Sequence, residues 1–318
     1  MKYRCLIIGL GKIGMEYDLH LESTEYALTH ARAFSVHPKF ELVAGVDPLV
    51  EQQKKFRKHY KLPVYTSLEE ASQKETVDVI CISVPTEKHL PTVENVLKHF
   101  APKAILCEKP LAYDCTAGNI IVESCKDSGV QLFVNYMRGS DPGVLRMASI
   151  INAIDNSERF KGTVWYSGGF MNNGSHLFFL AEMWLGSAKG SEVISSGGNL
   201  GNGDQKIDAL VRFERGEVHF LCIPNNSYSF IGIDLFSGLG RLKYEGNFAS
   251  WSGIGDDPIY IGHASLNHNS TVIVVDGKRC QWHVADQLAK AMNGESAAIC
   301  TGIRGYQTLK AMNSVTRN

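Results

Sequence analysis

Neither sign of charge prevails in this chain of 318 residues, where Lys and Arg number 32 and Asp and Glu 33. Without a basic surplus there is no general attraction to nucleic acid or to anionic membranes, so neither is expected as a partner. The one basic run, KKFRKHYK at 54–61, reads as the solvated face of a helix, with a 2′-phosphate site as the sharper alternative. No CxxC occurs among the eight cysteines, which excludes a zinc ribbon and a thioredoxin-like pair. No metal site is expected. Cys5, Cys81 and Cys107 lie inside apolar runs, where reduced, buried thiols are expected, as in a reducing compartment. Long apolar stretches are missing too. The opening MKYRCLIIGLGKIGM has the outline of a signal peptide, but Lys12 and three glycines interrupt it. No other segment is apolar enough to span a membrane, so the expected location is the cytoplasm. Internal repeats and low-complexity segments are absent.

What is present falls into two grammars. Apolar runs at 3–9, 41–47, 77–84, 103–107 and 130–135 lack polar alternation, as strands buried on both faces do. Between them, 28–37, 49–60, 87–100 and 114–128 read as helices; Leu90, Val93, Val96 and Leu97 recur at helical spacing. Strand and helix in strict turn predict a doubly wound parallel sheet. After about residue 160, the runs 162–170, 207–223, 228–236 and 240–246 read as antiparallel strands. Arg215-Gly216 and Asp276-Gly277 read as hairpin turns, the second folding STVIVVDGKRCQWH into one more hairpin. VADQLAKAMNG and GIRGYQTLKAMNSV predict closing helices. The expected fold class is α/β plus α+β. Residues 1–138 form a Rossmann-type parallel-sheet domain, and 139–318 an α+β domain with an open, mainly antiparallel sheet. The last helix is expected to return to the first domain.

Gly9, Gly11 and Gly14, with Lys12 and Ile13 between them, have the GxGxxG spacing directly after the first strand. The first glycine permits a tight turn, the second a close approach of backbone to pyrophosphate, and the third close helix packing. The acid expected at the end of strand two is Asp47, for the ribose hydroxyls, with capping of the next helix as its plainer role. It lies 33 residues after Gly14, farther than the usual ~20. The surplus is the segment MEYDLHLESTEYAL at 15–28, expected to be a lid over the cofactor or a subunit contact, with a solvated loop as the alternative. No arginine follows Asp47, so NAD is preferred over NADP. At the end of the third of these runs, SVPTEKH places Val84, Pro85, Thr86 and His89 where the nicotinamide ribose is expected; a surface position is the other reading of His89. CEKPLA closes the next run with Glu108, Lys109 and Pro110, although lysine is costly to bury and proline ends a strand.

Together the glycine turn, a strand ending in Asp47, SVPTEKH, CEKPLA and VNYMR resemble the Gfo/Idh/MocA family, which includes glucose–fructose oxidoreductase and inositol dehydrogenase. The resemblance runs over nearly the whole chain. It implies that Lys109 faces both the nicotinamide and the reacting hydroxyl. It also implies a cis bond before Pro110, and Glu108 orienting either local backbone or the nicotinamide ribose. The family's Asp-x-Gly-x-His signature corresponds to NNGSH, with Gly174 and His176 in register. Asn172 stands where aspartate is frequent, and Phe179 where a second one often follows. An amide holds a hydroxyl but cannot take its proton, so His176 inherits the role of base; helix packing is its plainer role. Asn135 and Arg138 are candidate substrate contacts. The aromatics of FFLAEMW are read as helix packing and His268 as structural. Relatives pair their second domains, which implies a homodimer or homotetramer.

The expected activity is hydride transfer between NAD and a secondary hydroxyl or ketone of a sugar, cyclitol or nucleotide-linked sugar. Lys109 and His176 would be catalytic, and Lys109, Asn135, Arg138, Asn172 and His176 would meet substrate. Rival readings are an imine or pyrrole reductase of the same fold and a catalytically silent NAD-binding sensor.

Overall fold

The structure is a computed structural model describing residues 2–200, 204–224, 228–267 and 270–316, so His268 lies outside the described residues. It divides into two compact units, Met1–Ser140 with Lys278–Leu309, and Asp141–Gly277 with Lys310–Asn318. Residues 278–309, expected within a second domain of 139–318, thus belong to the first unit.

That unit runs β1 (Tyr3–Ile8), α1 (His30–Val36), β2 (Phe40–Val46), α2 (Val50–Tyr60), β3 (Val64–Tyr65), α3 (Leu68–Ser72), β4 (Val79–Ile82), α4 (His89–His99), β5 (Ala104–Cys107), α5 (Cys115–Asp127) and β6 (Gln131–Val134). Its strands are all parallel, in the order β3-β2-β1-β4-β5-β6. Residues Val79–Ile82 and Ala104–Cys107 are wholly buried, which is why their sequences show no polar face. Burial also pushes the thiols of Cys5, Cys81 and Cys107 well above their ordinary value, and all eight cysteines are free. The winding reverses between β1 and β4, and open α/β sheets take ligands at the carboxyl ends of such a pair.

The helix that follows the glycine turn is split. Met15 N and Glu16 N donate to Gly11 O (2.9 and 3.2 Å), which opens a helical turn; the chain then departs. It returns as α1, where His30 N donates to Ile13 O (3.2 Å) and Ala31 N to Gly14 O (2.9 Å). Asp18, fully buried, gathers the excursion by accepting from Leu28 N (2.7 Å), Thr29 N (3.0 Å) and Thr29 Oγ1 (2.7 Å). Arg32 donates to the carbonyls of Asp18 (2.6 Å) and Leu21 (3.3 Å). Ala27 exchanges backbone bonds with Lys278 and Gln281 (2.9 and 3.0 Å). The segment is therefore held at both ends, while residues 22–25 between them are exposed.

The second unit contains α6 (Pro142–Ala153), β7 (Phe160–Tyr166), α7 (Ser175–Leu185), β8 (Ala188–Asn199), β9 (Gln205–Phe213), β10 (Gly216–Cys222), β11 (Ile231–Ser237), β12 (Gly240–Tyr244), β13 (Phe248–Asp256), β14 (Ala264–Leu266) and β15 (Thr271–Val274). They form a mixed sheet in the order β14-β13-β12-β11-β7-β10-β9-β8, with β15 on β13. Only β7 and β10 pair in parallel among the described strands of this sheet. The Arg215-Gly216 turn links β9 to β10 as a hairpin, with Phe213 opposite Gly216. One face buries Val164, Tyr166, Phe220 and Leu235 on the side of α7, where Phe178 meets Phe220 and Trp184 meets Tyr244. The other face leaves Trp165 and Phe236 part exposed (41% and 44%).

Asp276-Gly277 does not turn a hairpin. The chain passes from β15 through a tight turn at Gly277–Arg279 into α8 (Cys280–Met292). Helical periodicity wins there, because Val284, Ala285, Leu288 and Ala289 bury one stripe in the cluster that holds Phe34 and Phe40. After α8, α9 (Gly302–Thr316) begins in the first unit, with Leu309 close against Gly118 of α5. None of the described helices is long and apolar enough to cross a membrane.

Candidate active site

The carboxyl ends of β1, β4 and β5 lie side by side in the parallel sheet. Gly9 has φ +89°, a conformation that side chains resist, and a Cβ there would lie 2.7 Å from Ser83 O. Ser83 Oγ reaches the carbonyls of Gly9 (2.7 Å) and Ile8 (3.0 Å), fastening the turn to the end of β4. A Cβ on Gly14 would sit 2.1 Å from Gly9 O, so the third glycine is required by packing. Gly11 differs: nothing lies within 4 Å of its Cβ position. The space above its backbone is what a pyrophosphate needs. Lys12 is exposed and Ile13 half-buried.

Asp47 is buried, and its two oxygens accept from Leu10 N and Leu49 N, each at 2.8 Å. It therefore ties the glycine turn to the start of α2 and keeps lone pairs for further donors. Beyond β4, Val84, Pro85 and Thr86 form the approach to α4, with Pro85 exposed. His89 is 1% exposed, which corrects the surface reading. Its Nδ1 faces Leu111 O and its Nε2 faces Val84 O, both at 3.1 Å, so the ring braces two site loops against each other. Burial holds its pKa below the ordinary value.

Glu108 and Lys109 follow β5, and the Lys109–Pro110 bond is cis. Glu108 Oε1 accepts from His30 Nε2 (2.7 Å) and Asn135 Nδ2 (2.6 Å), and Oε2 from Lys109 N (3.3 Å). Burial pushes this carboxyl up; the His30 bond and charge, the Asn135 amide and the Lys109 charge outweigh that push and leave it below its usual value. Glu108 thus holds the backbone of Lys109. Asn135 also donates to Gln281 Oε1 (3.2 Å), while its own Oδ1 is buried without a hydrogen-bond partner among the described residues. Arg138 lies half-buried on the turn Met137–Ser140.

Sequence reasoning missed His30 and Gln281. They arrive from α1 and α8, and no spacing in the chain announces that His30 meets Glu108 or that Gln281 meets Asn135. In the second unit, a wide helical turn at Phe170–Gly174 leads into α7, which begins with Ser175 and His176. His176 is 8% exposed. Asp204 was missed as well: it accepts from Met171 N (2.8 Å), Asn172 N (3.0 Å) and Gln205 N (2.9 Å). A Cβ on Gly169 would lie 1.8 Å from this carboxylate, so glycine is required beside it. Asp204 thus caps the turn that carries Asn172, with negative charge at the positive end of a helix. Phe179 is buried in α7 with the other aromatics, as a packing residue.

Residues 3–136 match a family model described as an oxidoreductase family with an NAD-binding Rossmann fold. The chain is 27% identical to inositol 2-dehydrogenase of Rhizobium meliloti over 154 residues, which is 48% of this chain and 41% of that enzyme. It is 30% identical to a D-xylose 1-dehydrogenase [NADP(+)] of Haloarcula marismortui over 28% of this chain and 24% of that one. Each stretch spans less than half of the relative it matches. Among solved structures, the WlbA dehydrogenase of Bordetella pertussis, in complex with NADH and UDP-GlcNAcA, superposes with a TM-score of 0.75. That superposition covers 100% of this chain and 96% of the other at 17% identity, a likeness of fold.

Proposed function

Because the nucleotide-binding domain of this chain belongs to the Gfo/Idh/MocA family of oxidoreductases, we propose that the protein is an NAD-dependent dehydrogenase of a sugar, cyclitol or nucleotide-linked sugar. The observation that carries this reading is the presentation of Lys109. It stands on the sheet edge that also holds the glycine turn, its backbone held by a carboxylate that His30 and Asn135 keep ionised. When bound, the nicotinamide accepts or returns the hydride. The backbone around Gly11 seats the pyrophosphate, and Asp47 meets the adenosine ribose. Lys109 polarises the reacting oxygen and stabilises the negative charge that develops on it. His176 takes the hydroxyl proton, and Asn172, lacking a proton-accepting group, orients a neighbouring hydroxyl. Asn135 and Arg138 border the substrate. Assembly as a homodimer or homotetramer uses the sheet face that exposes Trp165 and Phe236.

The test is reduction of NAD against a panel of sugars, cyclitols and nucleotide sugars, followed by Lys109→Met and His176→Asn on whichever substrate turns over. Lys109→Met is expected to lower kcat about a hundredfold or more, since such a stabiliser is typically worth ~3 kcal/mol. Its NADH affinity should stay within about threefold of wild type, because no phosphate contact is lost. Near-normal turnover in Lys109→Met would refute its role. Tight NADH binding with no turnover on any substrate would favour a catalytically silent sensor.

A further inference from the structure

Both backbone groups of Leu10, the middle residue of Gly9-Leu10-Gly11, meet polar side chains. Asp47 accepts from Leu10 N at 2.8 Å. In the amide orientation that satisfies both neighbours, Gln52 donates to Leu10 O (3.3 Å) and to Glu16 Oε1 (3.2 Å). That same Glu16 oxygen receives Lys55 Nζ at 2.5 Å. Glu16 is itself anchored to the glycine turn, since its N–H donates to the carbonyls of Gly11 (3.2 Å) and Lys12 (3.0 Å). The bond from Lys55, opposed by partial burial and aided by Gln52 and the charge of Lys12, holds the Glu16 carboxyl below its ordinary value. One lysine of the basic run 54–61 therefore reaches Glu16 of the 15–28 segment, whose backbone is bonded to the glycine turn.

In dinucleotide folds the acid ending the second strand meets the ribose 2′-hydroxyl, and a cation nearby accommodates a 2′-phosphate. Lys55 and Lys12 both act on Glu16 beside the glycine turn and are the candidates for such a cation. We propose that Glu16 is a second determinant of cofactor choice: paired with Lys55, it withholds that ammonium from a 2′-phosphate and sets its own negative charge against one. The preference for NAD is then built by two chain segments, β2 and the excursion from the first helix. This inference rests on the cofactor reading above.

The test is binding, independent of turnover. NADH and NADPH are titrated by nicotinamide fluorescence into wild type, Glu16→Gln, Glu16→Ala and Glu16→Ala with Lys55→Met, at low and high salt. Removing one charge close to a phosphate should move the NADPH-to-NADH affinity ratio about tenfold toward NADPH in both single variants, and less at high salt. Adding Lys55→Met should return most of that shift, because the freed ammonium is its source. Glu16→Gln keeps the side-chain length and the contact with Gln52, so it reports even if the alanine variant folds poorly. An unchanged ratio in folded Glu16→Gln, with wild type binding NADH, would overturn this inference and leave the cofactor reading standing. Wild type binding neither nucleotide would overturn both.

Discussion

Two glycines three residues apart should respond in opposite ways to the same added methyl. At Gly14 a Cβ would lie 2.1 Å from Gly9 O and 3.1 Å from Gly9 C, both backbone atoms. The turn cannot yield, because Gly9 holds φ +89° against Ser83 and its carbonyl accepts from Ser83 Oγ. Gly14→Ala should therefore cost about 3 kcal/mol or more, the upper range for overpacking, and lower the melting temperature by several degrees. At Gly11 the same methyl meets nothing within 4 Å, and φ lies outside the left-handed region. Gly11→Ala should leave stability unchanged or raise it by ~0.4–1 kcal/mol through the unfolded chain. Its methyl occupies the space a pyrophosphate needs, so the loss falls on binding. Two charge-assisted bonds at ~1.5 kcal/mol each give about a hundredfold weaker NADH affinity. Paired thermal melts and fluorescence titrations of the two variants measure both quantities. Gly11→Ala with wild-type NADH affinity would refute the reasoning, and so would a Gly14→Ala protein as stable as wild type.

Glu108 gives a pH dependence whose sign follows from its lowered carboxyl. The stability it contributes is complete above the ordinary carboxylate value of ~4.3 and is lost as pH falls through the lower, folded value. The difference in urea stability between wild type and Glu108→Gln should hence stay flat, at ~1.5–3 kcal/mol, from pH 7 to about 5 and shrink only below that. A difference that grew on acidification would mean the carboxyl is raised instead. Asp18→Asn places amide hydrogens among three donors and should destabilise the first unit by about 2–4 kcal/mol in urea unfolding while weakening NADH binding. Unchanged stability in that variant would show that the 15–28 segment is not held by its buried carboxylate.

The long apolar strands were legible because burial on both faces leaves no other way to write them. β3 was not, since Val64–Tyr65 is too short to carry a pattern and is placed by its pairing with Gly45 and Val46. β8 was missed for the opposite reason: SEVISSGGN is polar and glycine-rich, and its strand character comes from long pairing with β9. The start of α6 was readable, with Asp141 capping Gly143 N at 2.7 Å and Pro142 in the first turn, yet its apolar periodicity sits beside a change of domain grammar that masked it. In the candidate site, the GxGxxG spacing marked the glycine turn, and Lys109 was singled out by the CEKPLA run and the family resemblance. Neither gave a sign of His30, Gln281 or Asp204, whose partners are supplied by folding across 78, 146 and 32 to 33 positions. The spacing from Gly14 to Asp47 looked anomalous until the first helix proved to be split around its insertion.

His30 and Ala31 rest on Ile13 and Gly14 as the next turn of one helix would, so the chain between them is a detour that returns to its own starting point. A loop whose ends the fold already holds together adds closure entropy only with the logarithm of its length. Its far stretch can lengthen, shorten or change composition without displacing the glycine turn, β2 or Asp47. The detour is thereby a place where the surroundings of a bound nucleotide can be rewritten while the sheet beneath stays as it is. Glu16 stands at its root, where its N–H bonds the carbonyls of Gly11 and Lys12, so a change there reaches the turn itself.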